Sequence, residues 1–376
     1  SFKALRDHYF PLLKSEQQPE YKADNHIFFS LKNIHIDKLA EVLNQRIFID
    51  STSYLKGEID DRHGAFYVEG RIPRFGIKKF RFRDTKIDLS NDDGATLLHF
   101  STKMFGSKSK KPTDLAIMAN VVPNFIDWGL TWNNRDFYGQ LDFSTRLFKT
   151  EENQLMADIA IRPTTFTING DRWMVNEANI KTDFKRFEVS DFALEGNEQH
   201  IRLDGMIGNT FEDSLNVDLR DVRLSYIMNL VNVHQVELDA MLTGKATAYS
   251  VLNKMALNID ARGEDFSFNE SVWGDVDLVS RWSTIDKKLV AEAKAQRHLS
   301  SKPNDYVAVL RGEYYPKNDS LDFYGDADRL NLEFIQKYLN GIMKTVKGDG
   351  SGRIRLFGSL KKIFLSGDVM VNNGLL

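Results

Sequence analysis

The sequence predicts an all-β protein with a few short helices. Apolar and polar residues alternate along many short runs, which is the pattern of a strand that has one apolar face. Turn-forming clusters separate these runs at the spacing of successive antiparallel strands. The 26 phenylalanines and 12 tyrosines also suit strands.

The alternating runs extend through most of the chain. In each run the apolar residues have one parity, so they share one face of the predicted strand. The runs include Phe66, Val68 and Ile72; Phe80 and Phe82; Ala157, Ile159 and Ile161; Ile201 and Leu203; Leu257 and Ile259; Phe266 and Phe268; Leu321 and Phe323; Ile354 and Leu356; and Ile363, Leu365, Val369 and Val371. Turns are predicted at residues 90–94, 169–171, 195–199, 316–320 and 348–352.

The number of runs limits the architecture. A strand every dozen or so residues gives roughly 25 to 30 strands, which is more than one closed sandwich or small barrel holds. The chain therefore forms either several β domains or one sheet extended along an axis.

An irregular repeat favours the extended sheet. Three sets of four apolar residues have the same internal spacing, and a glycine follows each set. The sets are Leu330, Leu332, Ile335 and Leu339, followed by Gly352; Val222, Leu224, Ile227 and Val231, followed by Gly244; and Ile34, Ile36, Leu39 and Leu43, followed by Gly57. Each copy predicts a short helix, a glycine hinge and an alternating strand.

These repeats divide the chain into four parts. Residues 1–30 are a lead-in, and residues 31–218 are a first β segment with a helix near 37–45. Residues 219–329 are a second β segment with a helix near 225–233, and residues 330–376 are a third unit of a helix plus strands. The chain begins with Ser1, has no signal segment and ends in a strand-like pattern, so we expect an internal piece of a longer protein, truncated at its C-terminus.

The composition excludes several classes of protein. Fifty Lys+Arg against 53 Asp+Glu leave a net charge of -3, so no overall basic field attracts nucleic acid. The basic tract SKSKKP at residues 107–112 is interpreted as an exposed loop. The absence of cysteine excludes disulfides, thiolate metal sites and cysteine nucleophiles.

The sequence contains no motif that predicts catalysis. Its eight histidines include no HxH, HxxxH or HExxH pair, and adjacent carboxylates stand in turn-like contexts. Nucleophile-elbow, P-loop and GxGxxG motifs are absent from the sequence. We therefore expect a non-enzymatic protein with no catalytic residues, no metal and no cofactor.

The third repeat unit resembles a known family. The stretch ADRLNLEFIQKYLNGIMKTVKGDGSGRIRLFGSLKKIFLSGDVMVNNG, with looser copies at residues 31–72 and 219–263, resembles the TamB branch of the AsmA-like family, the translocation and assembly module proteins of the Gram-negative envelope. The glycine-punctuated strands from Gly352 to Gly358 and from Leu365 to Gly367, and the segment at residues 173–205, carry the resemblance. The N-terminal signal-anchor helix and the C-terminal domain of that family are not in this sequence.

The resemblance implies an architecture and a function. The architecture is an elongated, curled antiparallel sheet, a β-taco, whose concave face is an apolar groove. The implied function is bridge-like transport, in which the groove carries or shields lipid acyl chains between the inner and outer membranes. The implied location is a periplasmic segment of a protein anchored in the inner membrane of a Gram-negative bacterium.

The resemblance also implies partners. These are a phospholipid or other acyl lipid, an outer-membrane barrel protein of the Omp85 type reached through the missing C-terminal part, and the inner membrane reached through the missing N-terminal anchor. No nucleic acid partner is expected.

The predicted lining of the groove follows the apolar parity. It consists of Ile159, Ile161, Ile201, Leu203, Leu257, Ile259, Phe266, Phe268, Ile354, Leu356, Ile363, Leu365, Val369 and Val371. Two alternatives remain open. The chain could be a scaffold that assists outer-membrane protein assembly or secretion by β-augmentation of its strand edges. The same side chains could instead form the core of a closed β-sandwich that acts as a binding or structural module.

Overall fold

The all-β class with antiparallel strands and a few short helices is confirmed. The computed structural model describes residues 9–13, 26–32, 47–60, 65–77, 80–92, 94–105, 113–135, 137–168, 170–230, 237–253, 255–269, 271–297, 305–336, 346–359 and 362–375. The chain divides into two units, Ser1–Phe184 and Lys185–Leu376. The boundaries predicted near residues 219 and 330 both fall within the second unit.

The first unit is a sheet of thirteen strands in the described residues. They are β1 (His26–Lys32), β2 (Ile47–Ile49), β3 (Tyr54–Asp60), β4 (Ala65–Ile77), β5 (Phe80–Asp92), β6 (Ala95–Phe105), β7 (Thr113–Val122), β8 (Phe125–Asn134), β9 (Phe137–Lys149), β10 (Leu155–Ile161), β11 (Thr164–Ile168), β12 (Asp171–Val175) and β13 (Ala178–Thr182). Strand β1 pairs with β3, and from β3 each strand pairs with the next as far as β10, which also pairs with β13. Strand β2 lies beside β4, and β11 lies between β9 and β12.

The second unit is a continuous meander of eleven strands. They are β14 (Phe187–Gly196), β15 (Gln199–Ile207), β16 (Ser214–Arg223), β17 (Leu238–Tyr249), β18 (Ala256–Phe268), β19 (Ser271–Ser283), β20 (Lys288–Gln296), β21 (Tyr306–Tyr315), β22 (Ser320–Asn331), β23 (Lys347–Ser359) and β24 (Lys362–Leu375). Each strand pairs with the next one along the chain.

Helical segments interrupt the meander after two of its strands. Helix α1 (Leu224–Leu230) follows β16, as predicted near residues 225–233, although residues 231–236 lie outside the described residues. A 3-10 turn (Leu332–Ile335) follows β22, and the Asn331 side chain accepts a hydrogen bond from the Glu333 N–H at 2.8 Å at its start. The continuation of this helix at residues 337–345, the helix predicted near 37–45 and the basic tract at 107–112 also lie outside the described residues.

The predicted glycine hinge at residues 348–352 was wrong. Those residues belong to strand β23, where Gly352 pairs with Ala327 on one side and Val369 on the other. A Cβ atom on Gly352 would lie 2.1 Å from the carbonyl oxygen of Asp368, so the glycine permits close approach of two strands and is not a flexible connection. The turns predicted at 169–171, 195–199 and 316–320 do separate consecutive strands.

The two repeat copies within the described residues share a β-bulge. The bulged strands β16 and β22 carry Asp221 and Arg329 with φ of 51° and 49°, which places both in the left-handed region. The freed backbone N–H of Asp221 donates to the Thr243 hydroxyl at 3.0 Å, and that of Arg329 donates to the Ser351 hydroxyl at 2.8 Å. A bulge increases local twist and bends its strand, so both strands bend just before their helical segment.

The sheet of the second unit curls at this point. Cα atoms of β19 and β22 come within 8 Å of each other although β20 and β21 lie between them. In a flat sheet, three strand steps of about 4.8 Å would separate them by about 14 Å. Val276 of β19 packs against a cluster that contains Leu330 of β22, both on one face of the sheet, so the sheet curls towards that face.

Candidate functional site

The register assembles the apolar parities of the second unit into rows that cross the sheet. Residues directly opposite each other in antiparallel strands point to the same face, so a chain of partners defines a row. One row crosses all eleven strands through Phe192, Leu203, Val217, Ala246, Ile259, Ser280, Ala291, Gly312, Phe323, Leu356 and Leu365. The neighbouring row also crosses all eleven through Leu194, Ile201, Leu219, Gly244, Ala261, Leu278, Ala293, Leu310, Gly325, Ile354 and Gly367.

A third row lies nearer the bulges of the same face. It consists of Val222, Leu242, Gly263, Val276, Ala295, Ala308, Ala327, Gly352 and Val369. None of the three rows contains a charged side chain. We call this surface of the second unit its apolar face.

The first unit has an apolar face of the same kind. One row crosses ten strands through Phe29, Gly57, Val68, Leu89, Leu98, Ala119, Trp128, Phe143, Ile161 and Ala178. Ile159 lies on the same face, opposite Thr145 and Ile180. This surface is the apolar face of the first unit, and the opposite surface of each sheet is its polar face.

The residues predicted to line a groove all fall on these apolar faces. Ile159 and Ile161 lie in the first unit. In the second unit, Ile201, Leu203, Ile259, Ile354, Leu356, Leu365 and Val369 belong to the three rows, while Leu257, Ile363 and Val371 extend the face opposite Ala248, Gly358 and Gly350. The register therefore places all of these residues on the apolar surface of their sheet.

Phe266 and Phe268 differ from the other predicted lining residues because they lie in a closed margin. Their rings pack edge-on against Trp273 with centroid distances of 5.8 and 5.5 Å. Phe334 of the 3-10 turn covers this pair and contacts Phe268 at 5.4 Å and Trp273 at 5.3 Å. The 3-10 turn therefore lies across the apolar face at the end of the sheet where β16 and β22 bulge.

A cluster of buried apolar residues joins the 3-10 turn to the sheet of the second unit. It consists of Ala295, Val307, Ala308, Leu330, Leu332, Phe334 and Val346. Of the four apolar residues in the third repeat set, Leu330 and Leu332 belong to this core and Ile335 packs against it. The fourth, Leu339, lies outside the described residues.

Side chains also close the opposite margin of the second unit and one margin of the first. In the second unit, the Phe211 ring stacks on Trp282 with a centroid distance of 5.2 Å and an interplanar angle of 7°. In the first, the Tyr9 ring contacts Phe66 of β4 at 6.3 Å, while the Tyr9 carbonyl accepts a hydrogen bond from the Asn124 N–H at 2.8 Å.

The apolar face of the second unit stays partly accessible between these margins. Its large side chains, among them Leu203, Ile259, Leu310 and Leu356, are half-buried rather than buried. Towards β24 the exposure rises to 41% at Ile363 and 48% at Leu365. In a closed two-layer core such residues are almost fully buried. The described residues thus leave apolar surface available to a ligand.

Within the described strands of the second unit, the charged residues lie on the polar face. Alternating charges face each other across its strands, for example Asp218 opposite Lys245. Arg355 binds Asp322 through two hydrogen bonds of 2.7 and 2.8 Å, and these bonds lower the pKa of the Asp322 carboxyl. Hydrogen bonds from Lys288 and from the Tyr315 hydroxyl likewise lower the pKa of the Glu313 carboxyl. Both carboxyls stay ionised near neutral pH, which keeps this face hydrophilic.

Sequence reasoning missed part of the apolar face and all of its closing contacts. Strand β20 contributes Ala291, Ala293 and Ala295, which alternate with Glu292 and Lys294. This alternation is present in the sequence, but alanine is only a weak indicator of an apolar strand face because its side chain is small. The closing contacts join segments far apart in the chain, and no local pattern predicts them.

The described residues contain no group of three or more histidines, cysteines or carboxylates placed to hold a metal ion. None of their helices is long and apolar enough to cross a membrane. No protein-family model, curated protein or solved structure matches this chain.

Proposed function

We propose that the apolar faces bind the acyl chains of lipids and shield them from water. One observation carries the proposal: in the second unit, two rows cross all eleven strands without a charged side chain, and yet most of their residues remain partly exposed. Exposed apolar surface on this scale is unfavourable in water unless a partner covers it.

The energy of transfer makes an acyl chain a suitable occupant. Moving a chain of about 16 carbons out of an apolar site into water costs roughly 13 kcal/mol, at about 0.8 kcal/mol per CH₂. A row offers nearly equivalent apolar contacts at every strand, about 4.8 Å apart, so a chain can move from strand to strand without that cost. No residue needs to perform chemistry in such a mechanism.

The composition of the rows supports this occupant. Glycine and alanine interrupt the leucines and isoleucines along each row, for example Gly244 and Ala261 between Leu219 and Leu278. Small side chains leave space above the sheet, while their large neighbours supply contact area. A flexible chain can fill such an irregular surface.

The family resemblance of the sequence supplies the cellular part of the proposal. A TamB-like protein would carry lipid through the periplasm between the inner and outer membranes, with an inner-membrane anchor and an outer-membrane barrel protein as its partners. The uncharged rows are compatible with that role. The compartment and both partners are part of this proposal.

A pair of neighbouring residues provides the test. Leu365 lies on the apolar face with 48% exposure, and Phe364 lies on the polar face with 44% exposure, in the same strand. We expect Leu365→Glu to reduce the phospholipid that co-purifies with the chain, measured by extraction and mass spectrometry, because it places a charge in a row. Phe364→Glu makes the same change on the other face and should leave the lipid content unchanged.

A photo-crosslinking amino acid locates the lipid directly. Placed at Leu356 in the row, it should label lipid, whereas at Arg353, whose side chain is 91% exposed on the polar face, it should not. Absence of lipid from the purified chain, or equal labelling at both positions, would refute the proposal.

The alternative of β-augmentation has one observation in its favour. Strand β24 pairs only with β23 among the described residues, and its unpaired edge carries exposed apolar side chains such as Met370 at 72%. Such an edge can accept a client strand. Crosslinks to protein from positions along β24, without lipid at Leu356, would favour assembly over transport.

A further inference from the structure

The polar face of the first unit contains a depression of about 900 Å³. Its floor is formed by Ser101, Ala116 and Thr131, three small side chains that lie directly opposite one another on β6, β7 and β8. Long side chains surround this floor, with Arg71 and Lys86 at one end and Tyr138 at the other. The depression therefore forms because small side chains lie beside long ones on this face of the sheet.

The two cations at the end of this depression face each other. Arg71 on β4 is the direct partner of Lys86 on β5, and Lys86 is in turn the direct partner of Ser101. Like charges placed opposite each other destabilise a strand pair. A bound anion between them would remove that repulsion.

Neither cation has a carboxylate partner within the part of the chain that the structure describes. Neighbouring cations of the same sheet do have one: Lys56 contacts Glu69 at 2.8 Å, and Arg74 contacts Asp50 at 2.7 Å. Arg71 and Lys86 thus retain their capacity to bind a negatively charged group.

The carboxylates that line the depression lie beside a different cation. Lys103 contacts Asp84 at 3.4 Å, and Asp114 is the direct partner of Lys103 on the adjacent strand. Asp84, Lys103 and Asp114 thus lie together on one side of the depression. An anion is consequently directed to the end formed by Arg71 and Lys86.

The sequence around this end is strongly basic although the whole chain carries a net charge of -3. Between residues 71 and 86 there are seven cations and one carboxylate. The cations are Arg71, Arg74, Lys78, Lys79, Arg81, Arg83 and Lys86. Of these cations, Arg71 and Lys86 line the depression, and their positive charge favours an anion there.

We propose that this depression binds a phosphate group. A guanidinium presents paired N–H donors that match phosphate oxygens, and an ammonium adds a compact positive charge. The hydroxyl of Ser101, which lies directly opposite Lys86 on the adjacent strand, can donate a further hydrogen bond to the same group. The site lies on the face opposite to the proposed acyl-chain surface, so it does not depend on the proposed function.

The phosphate can come from the headgroup of an anionic phospholipid or from a soluble phosphate. Two probes distinguish these sources with the full chain: inorganic phosphate, measured by calorimetry at constant ionic strength, and vesicles of phosphatidylglycerol in phosphatidylcholine, measured by co-sedimentation against vesicles of phosphatidylcholine alone. Binding to the first probe assigns a soluble ligand. Binding to phosphatidylglycerol vesicles alone assigns a headgroup.

A double variant tests the residues. Arg71→Gln with Lys86→Gln should weaken binding of the active probe by at least about tenfold, because it removes charge-assisted hydrogen bonds. The control, Lys149→Gln with Lys181→Gln, removes the same charge from exposed positions of the same unit that do not line the depression. The proposal is wrong if the wild-type chain binds neither probe, if the double variant binds as well as wild type, or if the control variant loses as much affinity as the double variant.

Discussion

Replacement of Phe334 by alanine should open one margin of the apolar face. Phe334 is 5% exposed and belongs to the core cluster of the second unit. Truncation of a buried phenylalanine to alanine costs about 3 to 5 kcal/mol. Phe334 sits on a 3-10 turn of four residues, which can settle partly into the vacated space, so we expect about 3 kcal/mol. Its contacts with Phe268 and Trp273 account for about 2 kcal/mol of that loss, at about 1 kcal/mol per aromatic pair.

Hydrogen–deuterium exchange should show which strands lose stability in the Phe334→Ala variant. A local change of about 3 kcal/mol should accelerate exchange by about 100-fold in peptides from β18, β19 and β22, which surround the cluster. Peptides from β14 and β15 should keep their protection because their strands lie away from it. Urea denaturation of the same variant should give a lower midpoint.

A second phenylalanine provides the control. Phe364 is 44% exposed on the polar face and stacks on Phe357 at a centroid distance of 5.5 Å. Phe364→Ala should cost about 1 kcal/mol, since it removes one partly solvated aromatic pair. Equal losses of protection in the two variants would refute the conclusion that the 3-10 turn closes the apolar face.

Two further substitutions test local geometry. Gly352→Ala should lower the free energy of unfolding of the second unit by about 2 to 3 kcal/mol in urea, because the new Cβ would meet the Asp368 carbonyl. The control is Gly129→Ala, whose Cβ would find its nearest atom at 3.4 Å and which should change stability by less than about 0.5 kcal/mol. Similar effects of the two substitutions would contradict the steric argument. Hydrogen bonds from Thr52 and Arg74 lower the pKa of Asp50 from 3.8 to about 2, so its ionised form stabilises the fold above pH 3.8 and this contribution is lost as the pH falls through about 2. The Asp50→Asn variant should therefore have a lower free energy of unfolding than wild type near neutral pH, and this difference, measured by urea unfolding, should disappear at about pH 2. A difference that stays constant with pH would exclude the ionised carboxyl as its source.

The faces of the strands were predictable because alternation is a local property. A period of two residues assigns each side chain to one face whatever the strand pairs with. Ile354 and Leu356 therefore share a face with Leu365, as their parity predicted, once β23 and β24 pair in register. The short helix after Val222 was predictable for a similar reason, since the spacing of its apolar residues is also a local property.

The glycines of β23 show where local reasoning failed. The run GDGSG has the composition of a turn, and local propensity assigned it to one. In the fold, a Cβ atom on Gly350 would meet Val369 and Leu332, and one on Gly352 would meet Asp368, so glycine is required by contacts with β24 and with the 3-10 turn. Tertiary contacts overrode the local preference.

The sequence by itself determined the all-β class, the apolar parity of many of the strands and the absence of a recognisable catalytic motif. Only the tertiary structure decided that the parities align into rows without charge, that Phe334 closes one margin, and that Arg71 stands opposite Lys86. Alternation depends on residues adjacent in the chain, whereas rows and margins depend on register, bulges and curl, which arise from pairing between strands and from packing across the sheet.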